Sequence, residues 1–371
     1  MRVISIEDQK EALALLLDVL RIPTVNSSDN ESKLVEYLWE YFKRFGIDST
    51  VQMVDPNHAN LIVDLHGENP EKYVVWNGHI DTVPYGNLEE WDTDPREPVQ
   101  KEDLIIARGA SDMKSGLAAM VYAICSMHKQ NRKPKVNIRF IATCDEEKTG
   151  MGARKIMEEN ALGNPSALII GEPTNLSLGI AQKGCIWLEL LIRGKTSHSA
   201  YPKEGVNAVD YGFAISNELK EYIQSFAYPL LDHSTAEITM FHGGVANNMV
   251  PDQCRIVLDI RNTPNLTKGS IIKKLEKLCM EYGEKTNDQL EVTYHILNYR
   301  VGIETRKNNV WLQQFEHGLK ESNLPVQYTG INYFTDGSIF CEKKSIPTIL
   351  FGPGNPDMAH KPNERVNVNT Y

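Results

Sequence analysis

The sequence predicts an α/β domain with a mostly parallel sheet, interrupted by an inserted α+β domain of ferredoxin-like βαββαβ order. Three observations lead there. Near-continuous apolar runs of strand length alternate with helix-spaced segments through the first half, the pattern of strands buried on both faces beneath crossover helices. After about residue 180 the order becomes strand, helix, strand, strand, helix, strand. From about residue 300 helix and strand resume, so residues 1–180 and 299–371 form one domain and 181–298 an insert.

Each element has a local reason. Residues 7–21 carry Leu13, Leu16, Leu17 and Leu20 on one helical face, and Pro23 ends the run. A second helix at 31–45 repeats the spacing with Leu34, Leu38 and Phe42 and stops at Gly46. Strands are expected at 60–65, 73–77, 136–143 and 167–171, with helices at 115–130 and 151–160 between them. In the insert the strands are 185–193, 236–241, 254–261 and 291–297, and the helices 206–224 and 269–284. A helix at 308–321, a strand at 346–351 and a Gly/Pro-rich loop complete the chain.

Composition narrows the function classes. With 39 basic against 49 acidic residues the net charge is −10, which disfavours a nucleic-acid binder or a protein that adheres to acidic membranes. The six cysteines (Cys125, Cys144, Cys185, Cys254, Cys279, Cys341) form no C-x-x-C pair and read as reduced, buried thiols. The first residues lack a secretory leader's pattern, and the apolar run Ala12 to Leu17 is too short to span a bilayer. A soluble, cytoplasmic protein without membrane or nucleic-acid partners is the expectation.

Five segments carry chemistry. In Trp76-Asn-Gly-His-Ile-Asp-Thr-Val-Pro84, strand alternation puts His79 and Asp81 on one face, where a carboxylate can fix the tautomer of a metal-bound imidazole. A strand-end histidine beside a turn aspartate is the plainer reading. In Arg108-Gly-Ala-Ser-Asp-Met-Lys-Ser-Gly116, Asp112 sits in a turn, suited to bridge two cations or to cap the following helix. The glycines there do not make a phosphate loop, since G-x-x-x-x-G-K-[ST] is absent. Thr143-Cys-Asp-Glu-Glu-Lys-Thr-Gly150 places three consecutive carboxylates at a strand end, either a solvated acidic turn or a ligand set. Glu172 ends the strand of Ile170-Gly-Glu-Pro-Thr174, and His360 stands in the loop from Phe351 to Glu364. Every candidate follows an expected strand of the same domain. An oxygen-rich set of two histidines and three carboxylates suits zinc, and also cobalt or manganese.

With these segments in order, the sequence resembles metallopeptidase family 20, the acetylornithine deacetylase, succinyl-diaminopimelate desuccinylase, aminoacylase-1 and carboxypeptidase G group. The matching stretches are NGHIDTVP, RGASDMKSG, TCDEEKTG, GEPT and FGPGNPDMAHKPNE, spread over nearly the whole chain. The resemblance implies a zinc-peptidase-like catalytic domain and an inserted lid and dimerisation domain. It implies two divalent metal ions per subunit: His79 and Glu172 on one, Glu147 and His360 on the other, and Asp112 between them. Asp81 then orients His79 and Glu146 is the general base. In the insert, His198 in Gly194-Lys-Thr-Ser-His-Ser-Ala200 stabilises the oxyanion, and Asn248 and Arg261 anchor the substrate carboxylate. For Arg261 a strand-edge ion pair, and for Asn248 a simple turn, stay open as alternatives.

The implied activity is hydrolysis of an N-acyl amino acid by a homodimer, with a dipeptidase or carboxypeptidase as the alternative and a non-catalytic binding protein behind both. The chain departs from the pattern at Ala107, where a glycine is usual, and at Arg96, where an aromatic is common. Relatives usually also continue beyond the position of Tyr371 into a final helix.

Overall fold

The computed structural model describes residues 5–26 and 28–371. The N-terminal residues 1–4, part of the leader reading, lie outside them. Backbone contacts divide the chain into two compact units: residues 1–180, 305–329 and 335–371, and residues 181–304 with 330–334. Residues 330–334, outside the expected insert, cluster with the second unit.

The first unit is built on one sheet. Seven of its nine strands run in the order Ser49–Met53, Ala59–Leu65, Val136–Thr143, Asn69–His79, Leu168–Ile170, Thr348–Leu350, Leu178–Gln182, and the short Ile303–Glu304 and Tyr328–Ile331 both pair with the last. The middle four are parallel. The outer ones join antiparallel. The sheet is therefore mixed, with a parallel centre, rather than mostly parallel throughout. The short link between Met53 and Ala59 explains one edge, because a connection that brief can only return a strand antiparallel. Sequence reading missed Ser49–Met53 and Leu178–Gln182. Both are five residues long, and the first carries polar residues at alternate positions.

Helices Ile6–Arg21, Ser32–Arg44 and Lys114–Lys129 cover this sheet with Leu16, Val19, Leu34, Leu38, Phe42, Leu117 and Val121, all fully buried. Phe42 meets Phe140 of the sheet with ring centroids 6.0 Å apart. The first helix starts on a capping box between Ser5 and Asp8. At its other end the buried Lys114 Nζ donates to the carbonyls of Val19 (3.2 Å) and Ile22 (2.7 Å), satisfying acceptors that a helix leaves open. A small three-stranded sheet pairs Val99–Lys101 with Leu104–Ile106 and Leu104–Ile106 with Arg365–Asn367. Sequence reading missed it too.

The second unit has the split βαββαβ arrangement. Its antiparallel sheet runs Thr235–Gly243, Gln253–Arg261, Cys185–Arg193, Glu291–Arg300. Helices Ala208–Gln224 and Lys268–Lys285 pack on one face over Ile186, Leu188, Leu190, Ile192, Ile256, Leu258 and Ile260. Both helices begin on side-chain caps, Asn207 and Thr267. One buried and one open face is the usual condition of an antiparallel sheet. All six cysteines are free, and all but the half-buried Cys279 are buried. Among the described residues no helix is long and apolar enough to cross a membrane.

Candidate metal centre

Parallel strands end on the same side of a sheet, and here four of them deliver the candidate residues to one edge. His79 is the last residue of Asn69–His79. Glu146 and Glu147 follow Val136–Thr143, Glu172 follows Leu168–Ile170, and the loop after Thr348–Leu350 carries His360. Asp112 comes from the turn before helix Lys114–Lys129. That turn reaches the edge because the helix lies directly on a strand end: a Cβ at Gly116 would sit 1.8 Å from the Gly171 carbonyl oxygen. Gly116 therefore serves helix–strand packing and has no need of a phosphate to explain it.

The side chains converge. His79 Nε2 lies 3.2 Å from Asp112 Oδ1 and 3.9 Å from Glu172 Oε1. His360 Nε2 lies 3.0 Å from Glu147 Oε2 and 3.5 Å from Asp112 Oδ2. Two groups result, His79–Asp112–Glu172 and Asp112–Glu147–His360, each with ligand atoms within 4.8 Å of one another. They share Asp112, which turns one carboxylate oxygen to each histidine. His79 Nδ1 faces Asp81, 3.0 Å from its backbone oxygen and 3.4 Å from its carboxylate.

Burial and crowding set the charges. Burial raises Glu146 well above the ordinary carboxyl range, with Asp336, Glu172 and Glu147 adding to it and His79 opposing. Glu172 is raised well above that range by burial and then by Asp112. Glu147 is pushed up to about 7 by burial and Asp112, against its bond to His360. Asp112 moves the other way: burial raises it, but its bonds to His360 and His79 together win and lower it. His79 is held well above the imidazole range because its bonds to Asp112 and Asp81 overcome its burial. His360 is lifted to about 10 by Asp112 and Glu147. Buried carboxylates that raise one another in this way are stabilised by cations. Two imidazole nitrogens and three carboxylates, split into two overlapping groups, fit a pair of divalent ions.

A second layer, of which sequence reasoning gave a role to Asp81 alone, holds the ligands. Buried Glu364 accepts from the backbone N–H of Gly109 (3.0 Å), Ser111 (2.9 Å) and Asp112 (2.9 Å), and from Arg108 Nη1 (2.7 Å). The pairing of Arg365 with Ile106 brings these two stretches of chain side by side. Arg108 also covers the Trp91 ring at 5.0 Å. Asp81 accepts from the N–H of Glu146 (3.0 Å) and Glu147 (3.1 Å) as well as facing His79. Asn26 Nδ2 joins Asp81 (3.0 Å) to Asp145 (3.1 Å), and buried Glu31 accepts from the Asp145 N–H (3.0 Å). Asp145, at φ 57°, bonds the Thr149 hydroxyl and so closes the turn that presents the two glutamates.

The remaining candidates belong to the second unit. His198 is exposed, with Nδ1 accepting from the Ala200 N–H (3.1 Å), and pairs by a bridge with Met249. Asn248 is exposed beside it, its carbonyl accepting from the Ser199 N–H (3.0 Å). Arg261 donates from Nε (2.7 Å) and Nη2 (3.0 Å) to Asp259, the strand ion pair that the sequence left open.

Known proteins place this architecture. The chain is similar over 99% of its length, and 96% of the relative's, to a probable succinyl-diaminopimelate desuccinylase of Staphylococcus epidermidis, at 28% identity. It is 29% identical to an acetylornithine deacetylase of Vibrio campbellii over 90% of this chain and 86% of that one. The fold superposes on a dinuclear metal-binding peptidase of Bacillus subtilis with a TM-score of 0.76 and 14% identity, covering 99% of this chain and 95% of that one. Residues 75–371 match the model of peptidase family M20/M25/M40, a stretch that begins just before His79 and runs to the end of the chain. The chain belongs to that family and is a metal-dependent hydrolase of amide bonds.

Proposed function

We propose that this protein removes the acyl group from an N-acyl amino acid at a dinuclear centre. The observation that carries the reading is the pair of ligand groups sharing Asp112 next to Glu146, a buried carboxyl whose Oε1 has no hydrogen-bond partner among the described residues. Relatives named for hydrolysis of acyl amino acids match 90% of the chain or more.

His79 and Glu172 would hold one cation and Glu147 and His360 the other, with Asp112 a ligand available to both. Zinc is the expected metal, with cobalt or manganese able to substitute; when bound, such ions polarise an amide carbonyl and acidify water. Asp81 keeps His79 oriented. Glu146 takes a proton from the attacking water and returns it to the leaving amine nitrogen. Its raised proton affinity suits it to hold that proton between the two transfers. From the second unit, His198 meets the oxyanion. Asn248 and the Nη1 side of Arg261 receive the substrate carboxylate. Strand Thr235–Gly243 lies at the sheet edge and exposes Met240 and Phe241, which supports assembly as a homodimer through this unit. The cytoplasm is the proposed compartment, consistent with six free cysteines.

A hydrolysis screen tests the reading: N-acetyl and N-succinyl amino acids against dipeptides and carboxypeptidase substrates, with zinc, cobalt and manganese in turn. Acyl amino acids should be cleaved with the higher kcat/KM. Preference for dipeptides would move the assignment to a peptidase of the same family, and no cleavage by any metal form would overturn it.

A further inference from the structure

On the sheet of the second unit, the face away from the helices carries buried and half-buried charges that, among the described residues, are matched with one exception. Side chains of Cys185, Trp187 and Glu189 point to that face, since Ile186, Leu188 and Leu190 point into the core. Arg255 is paired with Glu189 at 2.7 Å, and Arg261 with Asp259. Trp187 Nε1 also donates to Asp259 (3.1 Å), so that carboxylate already accepts three bonds. Arg300 has none. It is 1% exposed, and among the described residues Nε, Nη1 and Nη2 find no acceptor.

The backbone shows why Arg300 sits there. Strand Glu291–Arg300 pairs with Cys185–Arg193 and shifts register between Ile296 and Asn298. Beyond that bulge Asn298 stands opposite Trp187 and Arg300 opposite Cys185. On the other side Ile260 pairs with Ile186, so Arg261 reaches the register of Cys185. Arg261, Cys185 and Arg300 thus form one row across three strands, with the smallest side chain in the middle. Phe334 lies against both guanidiniums, 5.5 Å from Arg261 and 5.0 Å from Arg300. A ring face contributes little against the cost of burying a guanidinium without an anion.

We propose that this row is a carboxylate-binding site, in which Arg300 supplies the fork and Phe334 the wall. One unmatched positive charge calls for a single negative one. A carboxylate has that charge and the two oxygens that a guanidinium takes side by side, whereas a phosphate would carry more charge than the row can neutralise. The way in is at Arg261, whose side chain keeps 29% of its surface, while Phe334 covers Arg300. The carboxylate can belong to a free acid or to the far end of a substrate's acyl group, and the chemistry of recognition is the same.

The test uses the full-length, metal-loaded protein and thermal melts in acetate, succinate, chloride and phosphate, with wild type, Arg300→Met and Arg300→Lys. Acetate and succinate should raise the wild-type Tm more than chloride or phosphate do. Arg300→Met should lose that increment while its own ligand-free Tm is no lower, because the uncompensated charge is gone. Arg300→Lys should keep a weakened increment, a single ammonium replacing the fork. An Arg300→Met protein that is less stable but keeps the full carboxylate increment would make Arg300 structural and overturn the proposal. An equal response to chloride or phosphate would overturn the choice of carboxylate.

The source is read from kcat/KM for the N-succinyl against the N-acetyl form of one amino acid, an arm that rests on the proposed deacylase activity. A fall of about ten-fold in that ratio on Arg300→Met assigns the site to the substrate's acyl end. An unchanged ratio with a lost Tm increment assigns it to a free acid. Should neither compound be cleaved, the deacylase reading fails while the melts still decide the site.

Discussion

The functional candidates of the two units are held in opposite ways. At the sheet edge of the first unit, the stretches that carry Asp112, His79 and the two glutamates are fixed by buried partners: Glu364 beneath the Asp112 turn, Asp81 beneath His79 and the two glutamates, and Asn26 and Glu31 beneath the Asp145 turn; His360 alone stands on an exposed loop. In the second unit His198 and Asn248 stand on exposed loops, and their contacts run mostly through backbone. The difference separates two kinds of work. Groups that must hold multivalent ions at fixed distances need a rigid lower layer. Groups that meet a substrate after it arrives can be left loose, since adjusting a side chain is cheap on a solvated loop. Substitutions in the first unit should therefore move stability and metal content together, with Glu146 as the exception, and those in the second unit activity alone.

Glu146 is the sharpest case, because it sits in the rigid region without belonging to either ligand group. Glu146→Gln should cut turnover by roughly 10³- to 10⁴-fold, the upper range for losing a general base. Metal content, measured by elemental analysis, should stay near wild type. Activity within a few-fold of wild type would remove Glu146 from the base role.

Glu364 tests the lower layer itself. Glu364→Gln leaves the Arg108 guanidinium buried without its counter-charge, which costs about 3–5 kcal/mol when one partner of a buried pair is removed. Denaturant melts should show that loss, and metal content should fall with it because the Asp112 turn is released. A variant with lower activity but unchanged stability and metal would mean that the layer is not rigid in the sense argued.

The sequence disclosed the first of these residues and not the second, for a physical reason. His79, Asp112, Glu146, Glu147, Glu172 and His360 each follow a strand end within a short motif, so local pattern and fold class together point to one edge. Arg108 and Glu364 are 256 residues apart, and neither has a neighbour that hints at the other. Their meeting depends on the pairing of two three-residue strands, Leu104–Ile106 and Arg365–Asn367, too short to announce themselves by periodicity. Glu31 is similar: it reads as a helix-start carboxylate, and only the fold buries it against Asp145. The parallel centre of the sheet could be read because its strands are apolar runs. The antiparallel edges could not, because alternating or very short segments resemble loops.

On the other side of the comparison, His198→Ala removes a donor from the second unit's exposed loop. Turnover should fall by about 10²- to 10³-fold, as for loss of one oxyanion contact. Thermal stability should be unchanged, since an exposed side chain with one backbone contact contributes within about 0.5 kcal/mol. A matching drop in Tm would show that the loop is braced after all and would erase the contrast between the units.

The smallest effect sharpens the picture of the rigid layer. Burial, reinforced by Asp81 and Asp145, pushes Glu31 up to about 9 against the bond it accepts from the Asp145 N–H. His58 Nε2 also faces it at 3.4 Å. A carboxyl whose folded value lies above its unfolded value binds more protons when folded. Its contribution to stability is full below about 4.5 and is lost as pH rises through about 9. Glu31→Gln keeps an acceptor for the Asp145 N–H but cannot ionise. The wild-type Tm should decline relative to the variant's between pH 5 and pH 9, by a few degrees, when both are melted in parallel across that range. Parallel curves would place the titration elsewhere and leave Glu31 as an acceptor with no say in how the turn responds to pH.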